Sequence, residues 1–257
     1  MLMNRFLVIF LFLASCTMPD ATPIPLTPTQ LSPAGWELIE PGLERRSFLP
    51  DANGLKEISV LRIDPNLFTF RVHYRPGEPL NIGEWSRELP EAEVIVNANL
   101  FDPQNQIVGL LISDGVVYGW SYTDRGGMFY IQDDVPRIRS NIAHPYIPGE
   151  PIQQAVQAYP MLVIDGQQAF TNTNNDRITR RTAIGIDYEG RVLIMVTPLA
   201  GLGLVELSAF LANTPELDLS MAFNLDGGGS TMRYIATIDD MLLSFDPVPA
   251  VLAVYRR

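Results

Sequence analysis

Cysteine is nearly absent: Cys16 is the only one in 257 residues. A disulfide framework, a cysteine metal site and a catalytic thiol are therefore excluded from the chain beyond it. Histidine is almost as scarce, with His73 on a strand-like pattern and His144 before Pro145, and both read as surface or structural residues. There is no His-Glu-x-x-His zinc site and no Gly-x-x-x-x-Gly-Lys-Ser/Thr phosphate loop. Ser230 does not sit in a Gly-x-Ser-x-Gly elbow, because Met232 occupies the last place. Basic residues are outnumbered, 18 against 29 acidic, for a net charge of −11. Such a surface argues against nucleic acid as a partner, although it permits a local cationic pocket for one phosphate. No internal repeat is present.

The start of the chain is an address. Arg5 precedes an apolar run over 6–13 and then Ala14-Ser15-Cys16, which reads as a secretory signal too short to span a bilayer stably. Leu13-Ala14-Ser15-Cys16 resembles the bacterial lipobox, which implies a lipidated Cys16 as the first mature residue; the alternative is an ordinary cleaved signal with a chance cysteine. Loss of Arg5 with the leader takes the net charge from −11 to −12. Residues 17–33 carry Pro19, Pro23, Pro25, Pro28 and Pro33 among Thr, Ser and Gln, as in an extended, semi-rigid tether. The expected organisation is a leader over 1–15, a lipidated cysteine and tether over 16–35, and one domain over 36–257. That domain would be exported and anchored to the cell envelope.

Apolar and polar residues alternate over 57–63 and 68–72, which predicts half-buried strands. Asn81, with Glu84 three residues on, predicts a capping box opening a helix over 82–89. A short buried strand follows at 94–97. Asp114-Gly115 and Asp165-Gly166 read as hairpin turns, and residues 182–187 and 191–196 form another strand, turn and strand. Residues 204–211 carry a helical apolar face. Strands are expected on either side of the glycines at 227–229, and a closing strand at 251–255. The fold expected is α+β: one domain with a largely antiparallel or mixed sheet and a few short helices.

Carboxylates, guanidinium groups and amides carry what chemistry remains. Asn224-Leu225-Asp226-Gly227-Gly228-Gly229-Ser230-Thr231 follows an apolar run with an acid, three glycines and two hydroxyls. Without Cβ atoms the backbone can turn its N–H groups toward one point, which suits an anion; the alternative is a glycine-rich turn that bonds only itself. Asp226 and Glu206 together would match the pair of carboxylates used to cleave glycosidic bonds, unless Glu206 is a solvated acid in the first turn of its helix. Arg180-Arg181-Thr182 opens a strand and offers a guanidinium for phosphate, or else belongs to a solvated basic loop with Arg177. Asn97-Ala98-Asn99-Leu100-Phe101-Asp102 brings amides for sugar hydroxyls, or forms an Asx turn. Asp226, Glu206, Asp102 and the amides are oxygen ligands that Ca²⁺ or Mg²⁺ would accept, yet their spacing requires no cofactor.

These segments resemble, in order, the blocks of the phosphodiester glycosidase family. The resemblance rests on Asn97 to Phe101, Gly109-Leu110-Leu111-Ile112-Ser113-Asp114-Gly115, Pro160-Met161-Leu162-Val163-Ile164-Asp165-Gly166, Arg181-Thr182-Ala183-Ile184-Gly185, Glu206-Leu207 and the Asn224 to Thr231 signature. It implies hydrolysis of a sugar-1-phosphodiester in a glycan or phosphoglycan, releasing the sugar and leaving a phosphomonoester. It also implies Asp226, Glu206 and Arg181 as catalytic residues. Asn97, Asn99, Thr182, Gly227, Gly228, Gly229, Ser230 and Thr231 would then bind substrate, with Arg181 and the glycine amides on the phosphate. The other reading is a non-catalytic envelope lipoprotein that binds such a glycan.

Overall fold

The computed structural model describes residues 35–51, 55–174 and 176–257; the expected leader, Cys16 and the proline-rich stretch 17–33 lie outside them. Three sheets, every pairing antiparallel, make up the described chain. The largest has eight strands, running from edge to edge as Glu37–Glu40, Leu43–Phe48, Ile58–Ile63, Val192–Val196, Thr182–Asp187, Leu219–Asn224, Met161–Ile164 and Gln167–Gln168. A five-stranded sheet follows the order Val116–Gly119, Leu110–Ser113, Gln154–Ala158, Gly127–Gln132 and Val135–Ser140. The third sheet, also of five strands, runs Asp240–Leu242, Arg233–Ile235, Val94–Asn97, Ala250–Arg256 and Phe68–Tyr74.

All three sheets turn one face toward a common core. Ile184, Ile194 and Phe223 come from the large sheet, Phe129 and Val156 from the second, and Phe70, Val96 and Leu252 from the third. Strand alternation sends the intervening residues outward to separate clusters. Ala183 and Leu193 meet helix α2 (Leu204–Asn213) on the outer face of the large sheet. Ile95 and Val251 meet helix α1 (Ile82–Glu88) on the outer face of the third. Asn81 and Glu84 form the expected capping box at the start of α1.

The α+β expectation is corrected: among the described residues the chain is predominantly β, with only these two α-helices. Each helix covers part of one outer sheet face, while the shared core is built from strands alone. The strands flanking the glycines also part company. Leu219–Asn224 belongs to the large sheet, whereas Arg233–Ile235 pairs with Val94–Asn97 in the third, so the glycine segment crosses from one sheet to another.

Candidate functional site

The crossing is fixed by backbone bonds from both sheets. Leu225 N–H donates to Thr182 O at 2.8 Å and Asp226 N–H to Ala98 O at 3.1 Å. Gly228 has φ +61, and its N–H donates to Arg180 O at 2.8 Å. Gly228–Ser230 then makes a single 3-10 turn. Gly227 N–H donates to Asp226 Oδ1 at 2.9 Å. The amides of Gly227 and Gly228 are thus engaged within the protein and do not converge on one external point.

Asp226 stands at the lip of this loop. Burial pushes its carboxyl up to about 6, although hydrogen bonds from Ser230 and the Gly227 amide favour the anion; the negative charge of Asp246 pushes the same way as burial. Asp246 is a neighbour that sequence distance concealed. Its N–H and that of Phe245 both donate to Gly229 O, at 3.1 and 2.7 Å. A Cβ on Gly229 would lie 1.9 Å from Asp246 Oδ2, so the glycine is what lets this second carboxylate rest on the loop.

The two adjacent arginines point to different places, as successive residues of an extended chain do. Arg180 holds the glycine loop: it donates to Gly228 O at 3.3 Å, to Leu243 O at 2.9 Å and to Thr231 O, and it stacks 4.6 Å from the Phe245 ring centroid. Arg181 donates to Leu202 O at 2.9 Å and to Arg177 O, with Asp176 3.9 Å away. Asp176 in turn accepts from the first N–H groups of α2, at Leu204 and Val205. Arg181 therefore ties the start of α2 to its strand, and desolvation lowers the pKa of both guanidinium groups.

The amides divide in the same way. Asn97 is fully buried; it donates to Asp226 O at 2.6 Å and accepts from Thr182 Oγ1 at 2.8 Å and Met232 N–H at 3.1 Å. It joins the strand ends beneath the loop, and the Thr182 hydroxyl is spent on it. Asn99 donates to Leu110 O at 2.9 Å and Gln157 O at 3.0 Å, but its Oδ1 has no partner. Asn224 donates to Tyr159 O at 3.3 Å and to Leu225 O, and its Oδ1 is likewise unpartnered. Thr231 Oγ1 and Tyr122 Oη are buried without partners too. Buried polar atoms are ordinarily satisfied, and two of these orphaned oxygens, on Asn224 and Thr231, stand at the two ends of the glycine segment.

Glu206 has its bonded partner outside the glycine loop. Its carboxylate pairs with Lys56, the only lysine of the chain, at 2.6 Å rather than with any group of the glycine loop. Asp102 Oδ1 accepts from the N–H groups of Gln104 and Gln106, both at 2.9 Å, as an Asx turn does. His73 Nε2 sits 2.8 Å from Tyr255 Oη, with burial lowering its pKa. Among the described residues no group of three or more His, Cys, Asp or Glu side chains is placed to hold a metal. Sequence reasoning missed Asp246, Tyr122, Tyr159 and Asn224 as individual site residues. Only Asn224 carried a signal, its place at the head of the glycine signature.

The fold has solved counterparts. The catalytic domain of zebrafish N-acetylglucosamine-1-phosphodiester alpha-N-acetylglucosaminidase, auto-inhibited by its pro-peptide, aligns with a TM-score of 0.62 at 21% identity, covering 85% of each chain. A hypothetical protein from Synechocystis aligns with a TM-score of 0.57 at 14% identity, over 84% of this chain and 62% of its own. No curated protein matches by sequence. The profile of the phosphodiester glycosidases matches residues 90–255, a span that holds the Asn97 strand end, the Arg181 strand start and the whole glycine crossing. By that match, over more than half its length, the chain belongs to the phosphodiester glycosidase family.

Proposed function

We propose that this chain hydrolyses the bond between a sugar C1 and phosphate in a sugar-1-phosphodiester of an extracytoplasmic glycan. The observation that carries this reading is the desolvated Asp226 carboxyl, held by Ser230 and the Gly227 amide beside the orphaned oxygens of Asn99, Asn224 and Thr231. A carboxylate poised near 6 is matched to proton transfer close to neutral pH. The leaving group is a phosphomonoester, a stable anion that needs little protonation to depart. Asp226 therefore acts in its ionised form: it takes a proton from water as the water oxygen bonds to C1, and the C1–O bond breaks with its electron pair on the phosphate oxygen. Asn99 and Asn224 accept hydrogen bonds from sugar hydroxyls, and Arg180 keeps the loop in shape from behind.

Family membership and the named substrate of the zebrafish relative support this chemistry. The reading extends to the setting: Cys16 is lipidated, residues 17–33 are the tether, and residues 36–257 work outside the cytoplasm. The test incubates purified domain with methyl diesters of N-acetylglucosamine-1-phosphate, glucose-1-phosphate and mannose-1-phosphate. Release of free sugar and methyl phosphate is expected from at least one. Binding without product would make the protein a glycan receptor, and a mature N-terminus without diacylglycerol on Cys16 would refute the anchor.

A further inference from the structure

Both arginines that open the strand Thr182–Asp187 have their guanidinium groups on backbone carbonyls, which leaves the substrate phosphate without the cation the sequence suggested. Another arginine stands at the same loop cluster. Arg125 precedes the strand Gly127–Gln132, is exposed, and lies over two aromatic rings, 5.9 Å from the Tyr122 centroid and 5.6 Å from that of Tyr159. Those rings meet edge to face, 5.5 Å apart at 88°.

The backbone beneath Arg125 is fixed against the candidate site. Buried Asn141 donates to Arg125 O at 3.0 Å and to Gly127 O at 3.2 Å. Gly126 has φ +71, and a Cβ there would lie 2.1 Å from Ala158 O. A Cβ on Gly127 would lie 2.9 Å from Phe223 Cγ, the residue before Asn224. Tyr159 O accepts from Asn224, and Tyr122 N–H donates to Gln157 Oε1 at 2.9 Å, while Gln157 O accepts from Asn99. The backbone of Tyr159 is thus bonded directly to Asn224, and that of Tyr122 to Asn99 through Gln157; both asparagines have Oδ1 atoms without partners, as does Tyr122 Oη.

We propose that Arg125, carried on the Tyr122–Tyr159 pair, is the phosphate-binding residue of this site and sets its preference for a phosphodiester over a plain glycoside. A guanidinium stacked on rings uses its faces and keeps its in-plane N–H donors for an anion, in the fork that matches phosphate oxygens. Its present partner is the adjacent carboxylate of Asp124, at 3.0 Å from Nε and 2.8 Å from Nη2. Both side chains are more than half exposed, and a pair of that kind holds weakly enough for a phosphate to replace it. The proposal rests on the hydrolase reading for its substrate, though not for the binding of a sugar phosphate.

The experiment compares wild type with Arg125→Ala, Arg125→Lys and Asp124→Asn on the same three methyl diesters. It also measures binding of the matching hexose-1-phosphates and free hexoses by calorimetry. Arg125→Ala is expected to raise KM about 10- to 100-fold and to weaken hexose-1-phosphate to the level of the free hexose, whose affinity stays unchanged. Arg125→Lys restores part of the loss, and Asp124→Asn tightens the phosphate by removing its competitor. If wild type turns over a diester and Arg125→Ala matches it within about twofold in KM, the proposal fails while the hydrolase reading stands. If wild type releases no product but binds hexose-1-phosphate in an Arg125-dependent way, the hydrolase reading fails and the proposal stands. Neither turnover nor phosphate-dependent binding overturns both.

Discussion

Asp226→Asn separates the cost of the candidate catalytic group from its use. In the folded protein, burial and the Asp246 charge raise the Asp226 carboxyl from an ordinary 3.8 to about 6. That rise amounts to about 3 kcal/mol of preference for the protonated over the ionised form. The folded value lies above the unfolded one, so this contribution to stability is complete below about pH 4 and is lost as pH climbs through about 6. Above that, wild type carries the full cost of an enclosed anion. Asparagine never ionises; it changes the hydrogen bonds with Gly227 and Ser230 by an amount independent of pH. Denaturant unfolding at about pH 4 and about pH 8 should therefore show the stability of Asp226→Asn relative to wild type growing by about 3 kcal/mol toward high pH. In the same samples, turnover should fall about 10³-fold or more, and wild-type kcat/KM should rise with pH through about 6. A stability difference that stays flat between the two pH values would refute the desolvated carboxyl, and a mutant retaining its rate would refute its role.

Other substitutions test the neighbours. Asp246→Asn removes a negative charge that raises the Asp226 pKa, so the rising limb of the pH profile should shift to lower pH; an unmoved limb would show that the two carboxylates do not interact. Asn97→Ala strands Thr182 Oγ1, Met232 N–H and Asp226 O in the interior, for an expected loss of about 3–5 kcal/mol in thermal or denaturant unfolding. Retention of near-wild-type stability would mean that these groups find other partners. Glu206→Gln breaks a partly exposed pair with Lys56 and is expected to leave turnover within about threefold and stability within about 1 kcal/mol. A hundredfold loss of rate would return Glu206 to the reaction.

Local signals in the sequence translated well wherever the chain organises itself over a few residues. The Asn81–Glu84 box starts α1, and Asp114-Gly115 and Asp165-Gly166 both turn hairpins with the aspartate at positive φ. Long-range pairing was illegible. Residues 222–225 and 231–235 look like the two arms of one turn, yet they do not pair with each other: the first joins Thr182–Asp187 and the second joins Val94–Asn97 as well as its neighbour Asp240–Leu242, with Asn97 bonded to Met232. The same blindness affected the site. Arg180 and Arg181 are indistinguishable as letters, and only the alternation of an extended chain sends one to the glycine loop and the other to α2. Glu206 was paired with Asp226 by chemical type, and its bonded partner is Lys56; Asp246, whose carboxylate rests on the loop, carried no signal. The α+β expectation failed for a related reason: two amphipathic segments were given the weight of a layer, though each covers only one outer face.

The passage of residues 225–232 from one sheet to another has a mechanical consequence. Thr182 O anchors Leu225 on one side of the crossing, and Asn97 Oδ1 anchors Met232 on the other, while Ala98 O holds Asp226 between them. Sliding the large sheet against the third would stretch this segment before it disturbed any hairpin. Amide exchange at Leu225, Asp226 and Met232 should accordingly proceed only through separation of the sheets, at the slowest rates in the molecule. A protease that cuts within the crossing would then measure how often the whole domain comes apart.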